Sequence, residues 1–322
     1  MPRIKCPGQE MAYHCTSRLV DGVQWWDEVE KEYLQDLMWR VTTFCGLELL
    51  GYTTMDNHYH QLLLVPAKQE ASNAELLRRY EVLNGRGRGR WKSIQEGFEA
   101  GGGQAAYWRG WLLRQMGDIS EHQKIFKERF SKWFNRRHER RGTLWCGRFN
   151  GTVVEVEGES LERVAAYIAL NPVRAGMVRS PEDYRFSSYH AALGGDQRCL
   201  AGIRRVTGME EGVNALSRLR LVMAWEGMKE SGDGDKRSLD AQVCREIVSS
   251  GGQLPLSATL YWRNRYLVEG VVIGTHGYVE EMARRLGRRA RRRTGSCGEQ
   301  MKGSPGGLCA LGRLRRAVYG FE

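Results

Sequence analysis

The sequence contains no apolar run that approaches the ~18 residues of a membrane-spanning helix. No apolar stretch follows the first residues, Met1 to Lys5, so we expect no secretory signal. Internal repeats are also missing. These absences argue against a membrane-embedded protein and a repeat array, and they make the cytosol the expected compartment.

The eight cysteines lack the spacing of a zinc site, because no two of them are only two to four residues apart. Without an export signal, a disulfide framework is also unexpected. No local motif supports a catalytic cysteine. We therefore interpret the cysteines as reduced thiols that mostly pack in the core.

Acidic residues are the scarcer charge: 38 Asp and Glu stand against 49 Lys and Arg, which gives a net charge of +11. This imbalance favours a polyanionic partner, with nucleic acid first. The contents of 41% hydrophobic and 27% charged residues are ordinary for a globular protein. A chain of 322 residues corresponds to about two domains, or to one domain with a long appendage.

Periodic patterns place helices and strands in the first two thirds of the chain. Residues rich in β-formers predict strands at 12–18, 47–65 (two strands around a turn at Asp56-Asn57) and 144–156. Apolar residues at helical spacing predict helices at 27–44, 120–138 and 160–170. The last of these helices has Ser160 as a candidate N-cap and a predicted stop at Pro172.

This order of elements predicts an α+β sheet domain over residues 1–195. A glycine- and arginine-rich segment at 68–116 has the composition of a mobile insertion with two weak helices. Residues 196–238 read as a connecting segment and linker. Residues 239–322 form a basic C-terminal extension that we expect to be mainly helical.

The sharpest local motif is His58-Tyr59-His60, which lies within a predicted strand. Residues i and i+2 of a strand point to the same face, so the two imidazoles project together and are able to bind one metal ion. A pair of histidines on a solvated strand face would have the same pattern. Tyr59 points to the opposite face, towards a helix layer, and is interpreted as structural.

A second feature lies on the predicted helix at 160–170. Tyr167 and Asn171 are four residues apart and share one helical face, beside an apolar stripe. A tyrosine at the edge of a packed face is able to present its hydroxyl to a cleft, and the amide oxygen of Asn171 is a possible third metal ligand. A core tyrosine and a C-terminal cap asparagine are the plainer alternative.

The third feature is electrostatic. Residues 124–148 hold nine Lys or Arg and two Glu, with aromatic residues between them. This combination is typical of a groove for single-stranded nucleic acid, although the aromatic residues also fit a helix core. The cationic side chains that we expect to contact DNA are Lys124, Lys127, Arg129, Lys132, Arg136, Arg137, Arg140, Arg141, Arg148 and Arg174.

Several blocks of sequence occur in order over residues 10–190, outside the insertion: 13–18, 51–60, 130–138, 141–149, 167–178, 181–185 and 187–189. Together they resemble the REP-associated tyrosine transposases, a branch of the HUH single-tyrosine transposases. Several independent blocks are more specific than the histidine motif alone. The resemblance implies a ferredoxin-like, RRM-like α+β sandwich with a central antiparallel sheet.

The resemblance also implies roles for individual residues. His58 and His60 match the histidines that bind a divalent ion (Mg²⁺ or Mn²⁺), and Asn171 matches the polar residue that completes that site. Tyr167 matches the nucleophile. The implied activity is cleavage and rejoining of single-stranded DNA through a 5′-phosphotyrosine, in a cytoplasmic bacterial protein at the nucleoid.

The implied partner is single-stranded DNA with hairpin or palindromic elements, with no membrane partner, and the chain is either a monomer or a homodimer. Two other functions remain open at this point. One is a non-catalytic, domesticated transposase that only binds nucleic acid. The other is a metal-dependent nuclease in which the histidines activate water and Tyr167 is structural.

Overall fold

The structure is a computed structural model, and it describes residues 4–6, 8–20, 26–68, 70–225, 249, 271–285, 299–300 and 309–311. The second part of the predicted linker, residues 226–238, and most of the 239–322 extension lie outside the described residues. None of the helices in the described ranges is long and apolar enough to cross a membrane.

The described strands and helices follow one another in a mixed order. The strands are β1 (Met11–Arg18), β2 (Glu48–Thr54), β3 (His58–Val65), β4 (Asn150–Val154), β5 (Val272–Gly274), β6 (Glu299–Gln300) and β7 (Cys309–Leu311). The helices are α1 (Glu28–Cys45), α2 (Asn73–Asn84), α3 (Trp91–Ala100), α4 (Gly102–Leu113), α5 (Ile119–Arg137), α6 (Glu159–Arg174), α7 (Ser188–Leu193), α8 (Gln197–Thr207), α9 (Gly212–Trp225) and α10 (His276–Arg285).

The strands form one sheet in the order β2-β3-β1-β4-β5-β7-β6. The first four strands in that order pair antiparallel, whereas β4 and β5 pair parallel. The fold class is therefore α+β as predicted, but the sheet is mixed, because β4 and β5 pair parallel while the other described pairings are antiparallel. The described part of the C-terminal extension supplies three short strands and one helix, where we expected mainly helix.

The strands of the extension cover the outer edge of β4. The Val153 amide donates to Val271 O at 3.0 Å, the Glu155 amide donates to Ile273 O at 3.0 Å, and Val272 is fully buried. Pairing satisfies backbone groups of β4 that would otherwise lie at a sheet edge. The extension thus takes part in the sheet of the predicted 1–195 domain.

Helices cover both faces of the sheet. On β3, the hydroxyl of Tyr59 donates to Gln123 of α5 at 2.7 Å, while the next residue, His60, faces Tyr167 of α6. Because neighbouring strand residues point to opposite faces, α5 and α6 lie on opposite sides. Thr42 of α1 and His122 of α5 are hydrogen-bonded at 3.0 Å, so α1 shares the α5 side.

The insertion at 68–116 forms three helices, α2 to α4, where the sequence predicted two. It is fixed to the domain through the last turn of α2. Arg40 of α1 donates to Val82 O and Leu83 O, and Arg129 of α5 donates to Asn84 Oδ1 at 2.5 Å. Guanidinium groups at the C-terminal carbonyls of a helix both satisfy them and complement the helix dipole.

The predicted packing of the cysteines agrees with the structure. Of the six described cysteines, four (Cys15, Cys45, Cys199 and Cys309) are buried, as expected for thiols that pack in the core.

Candidate active site

Two neighbouring strands present a row of polar side chains to the face covered by α6. In the antiparallel register of β1 and β3, Thr16 pairs with His60 and Arg18 with His58. Paired residues and residues two positions apart share a face, so His14 belongs to the same row. The predicted pair of histidines is therefore part of a larger polar patch in the middle of the sheet.

His60 lies at the centre of this patch and is 3% exposed. Its Nδ1 lies 2.9 Å from Nε2 of His14, and the two rings stack with their centroids 5.2 Å apart. The other ring nitrogen, Nε2 of His60, is buried and has no hydrogen-bond partner among the described residues. A buried nitrogen without a partner costs free energy unless a ligand satisfies it.

His58 stands at the more open end of the same row. Its Nδ1 lies 2.7 Å from Oδ1 of Asn57, which fixes the proton on Nδ1, and its ring is 5.1 Å from that of His60. Burial, with the nearby Arg18 adding to it, lowers the pKa of His58 to about 4. Burial, together with the neighbouring His58 and His14, also holds the pKa of His60 well below its usual value. Both imidazoles are therefore neutral at pH 7, the form that binds metal ions.

Tyr167 of α6 faces the two innermost histidines edge-on. Its ring centroid lies 5.8 Å from that of His60 and 5.7 Å from that of His14. Burial raises the pKa of the Tyr167 phenol, which is 6% exposed, while Arg174 and the amide of Asn171 act to lower it. The guanidinium carbon of Arg174 lies 4.5 Å from the ring centroid.

The helix that carries Tyr167 continues past the predicted stop. Pro172 lies inside α6, which ends at Arg174, and the predicted N-cap at Ser160 is also wrong, because the cap position is Gly158. Proline has no N–H for the carbonyl four residues earlier, that of Ile168. The hydroxyl of Thr53 on β2 donates to this carbonyl at 2.8 Å and so replaces the missing donor. The same bond ties the last turns of α6 to the sheet beside the histidines.

Asn171 lies one turn after Tyr167, and its Nδ2 donates to the Tyr167 carbonyl at 2.9 Å. Within the described parts of the chain, no three His, Cys, Asp or Glu side chains are grouped to hold a metal ion. The donors that fit a divalent cation are the neutral imidazoles of His58 and His60. A third protein ligand would have to be of another type, such as the amide oxygen of Asn171.

Three of the predicted cationic side chains, all half-buried or exposed, contact other parts of the protein, and the remaining seven line its surface. Arg129 holds α2, Arg137 pairs with Asp27 and with the buried Glu30, and Arg174 lies over Tyr167. Those with exposed or half-exposed side chains on α5 and the segment that follows it are Lys124, Lys127, Lys132, Arg136, Arg140, Arg141 and Arg148.

Arg174 lies on the α6 side of the sheet, beside the tyrosine. The segment after α5 reaches the end of the histidine row, because the Cys146 amide donates to Arg18 O at 2.9 Å, next to His58 in the register. Cationic residues of this segment are therefore close to the open end of the site.

Sequence reasoning missed His14 and Arg18 as site residues. Both belong to an alternating polar pattern in β1, in which His14, Thr16 and Arg18 share a face. That pattern was visible, but its alignment with the histidines of β3 depends on the register between two strands 40 residues apart. The prediction that Tyr59 points to the opposite face is confirmed, since it is fully buried on the α5 side.

No protein-family model matches the chain, and no curated protein matches it. A solved structure described as a REP-associated tyrosine transposase bound to a REP hairpin is similar to this chain. The similarity has a TM-score of 0.41 at 14% sequence identity, and it covers 61% of this chain and 85% of that chain. This is the family that the sequence blocks resemble.

Proposed function

We propose that the chain is a tyrosine transposase of the HUH type, which cleaves and rejoins single-stranded DNA through a phosphotyrosine at Tyr167. One observation carries the proposal: Tyr167 lies edge-on to His60 and His14, beside a buried His60 nitrogen that has no partner in the described structure. A nucleophilic side chain next to an unfilled ligand position is the arrangement that metal-assisted attack on phosphorus requires.

We propose a ferredoxin-like fold for the first part of the sheet. The elements run β1-α1-β2-β3-α5-β4, the strand order is β2-β3-β1-β4, and α1 and α5 share one face. This is the connectivity of a split βαβ sandwich. The site then lies on the opposite face, which α6 covers.

In the proposed reaction, the Tyr167 oxygen attacks the phosphorus of a phosphodiester. The P–O3′ bond breaks, and the phosphate stays on the tyrosine as a 5′-phosphotyrosine. The phenolic proton passes to solvent, and the departing O3′ takes up a proton from solvent and becomes a 3′-hydroxyl. Rejoining is the reverse attack by a 3′-hydroxyl, so no nucleotide cofactor is needed. Arg174 lies over the tyrosine ring, where its positive charge favours the phenolate.

His58, His60 and Asn171 would hold a divalent cation, Mg²⁺ or Mn²⁺ by our proposal, which supplies a Lewis acid for the scissile phosphate. The unpartnered Nε2 of His60 fits such a ligand. In the tautomer with its proton on Nδ1, His60 donates to His14 and leaves the Nε2 lone pair free. His58 is held in the same tautomer by Asn57.

The substrate we propose is single-stranded DNA that carries a hairpin. Exposed cationic side chains follow α5 and reach the open end of the histidine row near Arg18. Such side chains bind the phosphates of any nucleic-acid sequence. They therefore support a nucleic-acid substrate but do not define its target sequence.

A second candidate is a hydrolytic nuclease in which the histidines and a cation activate water. The burial and raised pKa of Tyr167 favour it, because a buried neutral phenol is a poor nucleophile. The two candidates differ in their products. Only the transposase leaves DNA covalently attached to the protein.

The test is incubation of the chain with 3′-end-labelled, hairpin-bearing single-stranded DNA and Mn²⁺, followed by a denaturing protein gel. We expect a labelled protein band, which Tyr167→Phe abolishes and Tyr107→Phe retains, since Tyr107 lies on α4 and is 58% exposed. Cleaved DNA without any labelled protein would favour the nuclease. If neither product forms, the result would favour a protein that binds DNA without catalysis.

A further inference from the structure

A second basic surface lies on the α5 side of the sheet, away from Tyr167. Its centre is the loop between α2 and α3, which reads Gly85-Arg86-Gly87-Arg88-Gly89-Arg90. Arg86, Arg88 and Arg90 are exposed, and none of the three forms an ion pair with a described acidic residue. Three guanidinium groups within five residues form a dense positive charge.

The loop has a defined backbone. Gly85, Gly87 and Gly89 all have positive φ angles, of 86°, 70° and 60°, which are strained for residues with a side chain. The Arg90 amide donates to the Tyr80 hydroxyl at 2.9 Å. A Cβ atom at Gly89 would lie 2.7 Å from that hydroxyl, so the contact requires glycine.

Two tryptophans hold the outer arginines in place. The guanidinium carbon of Arg86 lies 5.6 Å from the ring of Trp91, and that of Arg90 lies 5.1 Å from the ring of Trp111. Trp91 is itself fixed, because its Nε1 donates to Glu81 at 2.6 Å. Stacking on an aromatic ring orients a guanidinium group while its N–H donors stay available to a ligand.

The loop continues into a cationic stripe on α5. Arg129 contacts Asn84, the residue immediately before the loop. Lys132 and Arg136 follow Arg129 at spacings of three and seven residues, so they share its helical face, and both are exposed. The loop and the stripe together form one basic surface, defined by Arg86, Arg88, Arg90, Lys132 and Arg136.

We propose that this basic surface binds the phosphate backbone of a DNA duplex, such as a hairpin stem, while the cleaved strand enters the site on the other face. The proposal rests on the proposed function and adds a second DNA contact to it. The two tryptophans are half-buried beneath the arginines, so the surface offers guanidinium groups and no stacking platform for unpaired bases. Contacts of this kind anchor DNA without reading its sequence.

The test compares wild type with the triple variant Arg86→Gln/Arg88→Gln/Arg90→Gln. Fluorescence anisotropy, in EDTA so that no cleavage occurs, measures binding to a 20-base-pair duplex over a range of salt concentrations. Each lost phosphate contact lowers the slope of log K against log salt by about 0.9, so we expect a slope smaller by about 2 to 3 and binding weaker by roughly 10-fold or more.

Two further variants separate a local contact from a change in net charge. Arg185→Gln/Arg198→Gln/Arg205→Gln removes the same charge from exposed arginines that already pair with acidic residues, and should leave the slope near that of wild type. A triple lysine variant of the loop, Arg86→Lys/Arg88→Lys/Arg90→Lys, keeps the charge and should retain most of the slope. Its behaviour also reports whether the loop tolerates substitution.

Equal binding and equal slopes for wild type and the glutamine variant would overturn the proposal. Loss of binding to a polyglutamate peptide, with DNA binding intact, would overturn it too and assign the loop to an acidic protein partner. The outcome is independent of catalysis. If the salt slope depends on the loop arginines but no covalent adduct forms, only the proposed function is refuted. If an adduct forms but the salt slope does not depend on the loop arginines, only this proposal is refuted.

Discussion

Nε2 of His14 and Nδ1 of His60 lie 2.9 Å apart in the middle of the sheet, with the two rings stacked. When His60 is the donor in this bond, its proton lies on Nδ1. With the proton shared towards His14, the unpartnered Nε2 of His60 keeps the lone pair that a cation needs. We therefore predict that His14 positions His60, the proposed metal ligand on the neighbouring strand.

We expect His14→Phe to weaken Mn²⁺ binding by about 10- to 100-fold, because the ring is kept but the hydrogen bond to His60 is lost. His14→Gln should bind Mn²⁺ more tightly than His14→Phe, since its amide reaches the position of Nε2. Isothermal titration calorimetry of the DNA-free proteins measures both. Equal Mn²⁺ affinity in wild type and His14→Phe would show that the bond has no such role.

His58→Ala and His60→Ala should each lose most of the cleavage activity at limiting Mn²⁺, while binding to a folded hairpin changes little. Asn171→Ala should cost less, because water is able to replace one neutral oxygen ligand. Cleavage rates against metal concentration, beside anisotropy in EDTA, separate the two effects. Wild-type rates for either histidine variant at limiting metal would refute the ligand assignment.

The bond from Thr53 to the Ile168 carbonyl exists because Pro172 supplies no N–H. Thr53→Val keeps the shape and removes the donor, so it should destabilise the protein by about 1 to 3 kcal/mol. In a Pro172→Ala background the helix provides its own donor, and the cost of Thr53→Val should fall. Urea unfolding of the four proteins measures the coupling, and an unchanged cost in the Pro172→Ala background would contradict this account of the helix.

His122 gives a prediction for acid stability that is independent of the site. Burial lowers the pKa of His122 to about 3, well below the ~6.5 of an unfolded histidine. The folded state therefore keeps His122 neutral. The contribution of this neutral side chain to the free energy of unfolding is fully present above pH ~6.5 and is lost as the pH falls towards 3. His122→Gln should reduce the pH dependence of unfolding between those values by up to about 1.4 kcal/mol per pH unit. If the free energy of unfolding falls equally with pH in wild type and in His122→Gln, the buried histidine is not kept neutral in the folded state.

Local patterns in the sequence were enough for much of the fold. Alternation placed His58 and His60 on one face and Tyr59 on the other, because the period of a strand is fixed by its backbone. The turn at Asp56-Asn57 and the helices α1 and α5 also follow from local patterns. Local patterns did not show that Tyr167 lies against His14 and His60, because these residues are far apart in sequence. The roles assigned to these residues remain predictions.

The differences arise where a distant partner decides the structure. The helix continues through Pro172 because Thr53, on another element, supplies the donor. The contact between His14 and His60 depends on the register of β1 against β3. The strand at Val272 pairs with β4 across more than a hundred residues of chain, a contact that no local pattern specifies.

The most direct test of the central claim is to identify the amino acid that becomes linked to DNA. The full chain is incubated with hairpin-bearing single-stranded DNA and Mn²⁺, digested with nuclease and trypsin, and analysed by mass spectrometry. Trypsin releases residues 164–174 as one peptide, in which Tyr167 is the single tyrosine. We predict a nucleotide on that peptide; a nucleotide on a different tyrosine, or cleaved DNA with every tyrosine peptide unmodified, would contradict the assignment of Tyr167 as the nucleophile.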